Sequence, residues 1–147
     1  MPIKSFRASI ANNTIDTIPL STRDGSTGYR IRKFQVMGPN GDINIEHVIK
    51  IYKTPQTAAS TEIDFSDQTL LAAAIYNDVE DPHYLAGSVI FFDNETFNQD
   101  LFVTSLGHDN TGLMNYYVEL EQVRLDLSAN TVATLKDIRN IEAQGLT

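Results

Sequence analysis

The chain has 147 residues, 41% hydrophobic and 20% charged, with a formal charge of −8 and a pI near 4.7; that is enough for one domain with its own core. The acidic balance argues against general affinity for DNA or an anionic membrane, since both need clustered Lys and Arg. The absence of cysteine excludes disulfides, thiolate zinc sites and cysteine nucleophiles.

The first twenty residues hold no continuous apolar run after a basic start, so no secretory leader is expected. No segment approaches the ~20 apolar residues of a membrane span. Residues 1–27 read as an extended N-terminal arm. Within it Phe6, Ala8 and Ile10 alternate with Arg7 and Ser9 as a short strand, and Ser21 to Gly28 has turn chemistry throughout. Such an arm either adds a strand to its own sheet or reaches a neighbouring subunit.

Tyr29 to Val36 and Ile43 to Tyr52 read as strands. Gly38-Pro39-Asn40-Gly41-Asp42 between them predicts a hairpin. In the first strand Arg30, Arg32 and Lys33 suggest a solvated face. In the second, Ile43, Ile45, His47, Ile49 and Ile51 share one face, with Asn44, Glu46 and Lys50 on the other. Ser66 to Asn77 fits a helix capped by Ser66 or a buried strand, because short apolar runs do not separate the two. Its strand-like flanks favour the strand.

Gly87 to Phe92 and Leu101 to Leu106 are further strands. In NYYVELEQVRLDL (Asn115 to Leu127) the apolar set shifts phase, from Tyr116, Val118 and Leu120 to Val123, Leu125 and Leu127. That slip predicts a β-bulge near Glu121 and Gln122, and hence two packed layers. Ala129 to Asn140 follows as a helix of about three turns, with Val132, Leu135 and Ile138 as its apolar stripe. The expected fold is mainly β: an antiparallel sandwich or barrel over 28–127, an extended arm over 1–27, and one short C-terminal α-helix with its tail over 128–147.

Chemistry is sparse. His47, His83 and His108 have no second ligand at metal spacing, and His47 reads as a hydrogen-bonded core or interface histidine. Asp78, Glu80, Asp81 and His83 form an acidic turn without the glycine of an EF-hand loop. The phosphate-binding glycine patterns and the G-x-S-x-G elbow are absent. Glu119 and Glu121 share a strand face and read as solvent-exposed. No catalytic, cofactor-binding or metal-binding residue is assigned, and the chain is not expected to be an enzyme. The residues marked for contact with a partner are Ile3, Phe6 and Ile10 of the arm, and Val132, Leu135 and Ile138 of the helix.

The segments VIFFDNETFNQDLFVTSLG (Val89 to Gly107) and NYYVELEQVRLDLSANTVATLKDIRNIEA (Asn115 to Ala143), with the opening MPIKSFRASI, resemble small virion structural proteins of tailed phages, especially marine cyanophage-like ones. The resemblance implies a virion location after assembly in the bacterial cytoplasm. It is compatible with a head decoration (cement) protein or with a neck, tail or fibre part. As a decoration protein the chain would bind the major capsid protein or another virion protein as a homo-oligomer, a trimer being favoured, without nucleic acid or membrane. A carbohydrate-binding sandwich, with Tyr76, Tyr84, Phe91 and Tyr117 as a stacking platform, is the alternative of another class.

Overall fold

Strands whose apolar residues alternate can bury one face only by pairing layers. The computed structural model describes residues 2–22, 25–39, 45–78, 87–107 and 112–125. Among these it forms β1 (Ile3–Ile10), β2 (Thr14–Ile18), β3 (Thr27–Met37), β4 (Ile45–Tyr52), β5 (Leu70–Asp78), β6 (Gly87–Phe92), β7 (Leu101–Gly107) and β8 (Met114–Arg124). One sheet has the order β1-β8-β3 and the other β2-β7-β4-β5-β6. Every pairing is antiparallel, so the chain is mainly β in two antiparallel sheets, as its patterning predicts.

The core lies between the sheets. Met114, Tyr116, Val118 and Leu120 of β8 and Tyr29, Ile31, Phe34 and Val36 of β3 form one side of it. Ile49, Ile51, Ala72, Ala74, Leu101 and Val103 form the other, and none of the fourteen is more than 5% exposed. Each large aliphatic side chain buried in this way contributes about 1.5–3 kcal/mol. Tyr29 and Phe97 exchange two backbone hydrogen bonds, 2.7 and 3.0 Å, and so join the layers at one corner.

Of the two courses expected for the extended arm over residues 1–27, a strand added to its own sheet or a reach to a neighbouring subunit, the described residues take the first. β1 pairs with β8 from Ile3↔Glu121 to Ile10↔Met114, and β2 pairs with β7 from Thr14↔Ser105 to Ile18↔Leu101. The segment therefore adds a strand to each of its own sheets. The reason is apolar burial: Ile10, Ile18 and Leu20 all lie in the core. Between the two strands the chain crosses from one layer to the other, with Asn13 in the left-handed region (φ 57°). Asn12 Oδ1 accepts from the Gly107 amide at 2.8 Å, which pins the crossing to β7.

The predicted hairpin is corrected. β3 and β4 lie in different sheets, and β4 has both edges occupied, by β5 and β7. Residues 40–44, between β3 and β4, lie outside the described part. Lys50, expected on a polar face of β4, is buried; its Nζ donates to the Glu62 carbonyl at 2.6 Å and lies 5.5 Å from the Tyr52 ring centroid. The connection between β4 and β5 thus covers part of the outer face of the five-stranded sheet. Leu70–Asp78 is a strand, the favoured reading of that ambiguous stretch.

The bulge lies on a different strand from the one predicted. β8 runs without interruption against β1, and the register shift falls in β3, between Ile31↔Leu120 and Lys33↔Glu119. Arg32 is the extra residue. The expected C-terminal helix, with Val132, Leu135 and Ile138, lies outside the described residues.

Candidate functional site

The bulge gives the outer face of the three-stranded sheet its character. Residues directly opposite one another share a face. One outward row is therefore Ile3, Glu121 and Arg30, the next Ser5, Glu119 and Lys33, then Arg7, Tyr117 and Gln35, then Ser9, Asn115 and Met37. The extra residue brings Arg32 to the same face, where its Nη1 donates to Glu121 Oε2 at 2.8 Å. Arg30 Nη2 donates to the same oxygen at 3.1 Å.

Glu121, read from the sequence as solvent-exposed, is 4% exposed beneath its two arginines. Burial pushes its carboxyl up, but the bonds from Arg32 and Arg30 outweigh that and hold it below the ordinary glutamate range. Tyr117 donates to Glu119 Oε1 at 2.5 Å, which pushes the phenol up. Ser9 Oγ donates to Asn115 Oδ1 at 2.7 Å. Arg7, Ser9, Gln35, Met37, Asn115 and Tyr117 line a groove of about 520 Å³.

The outer face of the five-stranded sheet differs. Leu106, Val48, Ile75 and Val89 stand directly opposite one another across β7, β4, β5 and β6. Ile75 is 44% and Val89 75% exposed, so an apolar row runs across four strands at the surface. Beside it Phe65, 68% exposed, rests on Phe91 with ring centroids 4.6 Å apart, and Asp67, Asp93 and Glu95 line the same depression.

The marked partner-contact residues separate. Ile3 is on the outer face and half-exposed; Ile10 is in the core and Phe6 is packed against it. The proposed stacking platform does not come together. Tyr76 packs against the core, while Tyr117 and Phe91 face outward from opposite sheets. Tyr84 is outside the described residues.

His47 is buried, and its Nε2 shares a hydrogen bond of 2.5 Å with Ser105 Oγ, itself fully buried. A Ser–His pair sealed in this way meets no substrate; it satisfies two polar groups inside the sheet. Gly107 stands directly across from His47 and lets the ring lie over its backbone. Sequence reasoning placed His47 among apolar residues but missed Ser105 and Gly107, because nothing local marks residues paired from 58 positions away.

Burial holds His47 below its ordinary value of 6.5. The unfolded chain therefore takes up this proton near pH 6.5 while the folded chain does so only at lower pH, so the contribution to stability is present above that value and lost as pH falls. The wild type should lose thermal stability between about pH 7.5 and about pH 5 more steeply than His47→Gln, a comparison made at the two ends of that window. Equal slopes would contradict a neutral buried His47.

Among the described residues no group of three or more His, Asp or Glu is placed to hold a metal ion. No protein-family model matches the chain, and no curated protein matches it as a relative.

Proposed function

We propose that the chain is a structural subunit of a tailed-phage virion: a head decoration protein that binds the outer surface of the shell as a homotrimer and stabilises it. The resemblance of Val89 to Gly107 and Asn115 to Ala143 to virion structural proteins supports the virion setting. The observation that carries the assembly reading is the apolar row Leu106, Val48, Ile75 and Val89, in which Ile75 and Val89 are exposed and Val48 and Leu106 half-buried. Contiguous apolar surface of this kind marks a site of contact with another protein. Repeated weak contacts on one lattice give high avidity without any single strong site, and closed oligomers match lattice symmetry. The acidic body suits a protein that stays soluble outside a DNA-filled shell.

Heads lacking the protein supply the test. Adding the purified chain should give saturable binding in a fixed ratio to the capsid protein and raise the temperature at which heads release DNA. Heads that bind nothing and melt unchanged would sink the decoration reading.

A further inference from the structure

The two outer faces differ in charge. Of the eleven Lys and Arg in the chain, four (Arg7, Arg30, Arg32 and Lys33) project from the three-stranded sheet. Of nineteen Asp and Glu, the same strands present two, Glu119 and Glu121. Both are engaged, Glu121 by two arginines and Glu119 by Tyr117. A chain of charge −8 thus keeps one face with a surplus of cations. The same face exposes Ile3 at 53% and Met37 at 59%, with Tyr117 and the groove between their rows. Arg, Tyr and Met are the residue types enriched where proteins meet, and Lys and Glu are depleted there.

The opposite side of the sandwich carries the complement. Phe65 is the most exposed phenylalanine among the described residues, and it stands amid Asp67 and Asp93, with Asp64 adjacent in sequence and Glu95, which pairs with Lys53 at 2.6 Å, on the same rim. The geometry points to a second copy of this chain as the occupant of the basic face: Phe65 of one copy enters the groove of the next, and the carboxylates around it meet Arg7, Arg32 and Lys33. Because the two surfaces lie on opposite sides of one subunit, the contact is heterologous, head to tail. Such contacts generate a ring when the rotation closes. The bulge at Arg32 gains a role here, because the extra residue adds a third guanidinium to the receiving face. The inference rests on the reading of the chain as an assembling subunit and names the surface that assembles.

Sedimentation velocity of the full chain at about 0.05 M and about 0.5 M NaCl tests it, since screening weakens exposed charge contacts. The expected result is an oligomer at low salt whose association is roughly tenfold or more weaker at high salt. Arg7→Glu with Lys33→Glu, and separately Phe65→Ser, should each be monomeric with an unchanged β-type circular dichroism spectrum. An equimolar mixture of the two variants should form a dimer and stop there, because each retains the half that the other lacks. A wild type that is monomeric at low salt, oligomers indifferent to both variants, or a mixture that stays monomeric would each overturn the inference. Binding of the chain to heads is a separate readout: heads left bare alongside a salt-sensitive oligomer would fail the decoration reading and leave this contact standing.

Discussion

Deleting Glu119 from β8 abolishes cooperative folding, whereas deleting Arg32 from β3 leaves it intact. β8 is the central strand of its sheet, in unbroken register with β1 and paired with β3 on its other side. Losing one residue there puts Met114, Tyr116 and Val118 out of phase with Leu120, so one half of the strand must turn its core residues outward. Three such residues amount to roughly 5–9 kcal/mol of lost burial, as large as the whole stability of an ordinary domain. Arg32 is different because it is already surplus to the ladder. Without it, Tyr29, Ile31, Phe34 and Val36 alternate inward in a regular strand, against the same partners on β8. Its ion pair with Glu121 is lost, but Arg32 is 55% exposed, so the change stays within about 1 kcal/mol. Chemical denaturation of the two deletion variants, with Glu119→Ala as the control for side-chain loss, measures this. A folded Glu119 deletion or an unfolded Arg32 deletion would contradict the register.

The second large effect is Gly107→Ala. A β-carbon at this position overlaps the His47 ring, lying 2.7 Å from Cε1, and sits 2.9 Å from the Glu46 carbonyl oxygen. The ring cannot swing away easily, because it is buried and bonded to Ser105. Overpacking of this kind costs about 1–3 kcal/mol, and displacing the His47–Ser105 bond adds about 1 kcal/mol or more. At roughly 3 °C per kcal/mol for a chain of this size, Tm should fall by about 10 °C. The double variant His47→Ala/Gly107→Ala should lose less than the sum of the two single variants, since the clash needs both groups. Thermal melts of the four proteins decide it, and strict additivity would contradict the packing described.

These two cases show what the sequence displays and what it hides. Strand character was legible for β1, β3, β4 and β6 to β8, whereas β5 stayed ambiguous with a helix because Leu70 to Ala74 are buried on both faces and show no alternation. β2 escaped notice: Thr14, Asp16 and Thr17 look like loop chemistry, and only pairing with β7 makes Thr14–Ile18 a strand. The phase slip was legible too, but it was assigned to the wrong strand. Val123 and Glu121 stand on the outward face of a regular β8, while the real slip runs from Tyr29 and Ile31 to Phe34 and Val36. There the arginines looked like an ordinary wet face. Glu121 looked exposed because its shelter comes from Arg30 and Arg32, about 90 positions away. The hairpin failed for a related reason: turn residues between two strands signal a reversal of direction but not whether the second strand stays in the same sheet. Of the contact residues marked in sequence, Ile10 lies in the core and Phe6 packs against it, because alternation alone does not say which neighbour covers a face. The apolar row on the five-stranded sheet was not visible, since its four residues come from four strands.

Gold-labelled antibody against the chain, applied to intact particles and viewed by electron microscopy, tests the decoration reading most directly. Label spread over the whole head surface is the predicted result. Label confined to the neck, tail or fibres would contradict decoration, and particles that contain none of the chain would contradict a virion role altogether.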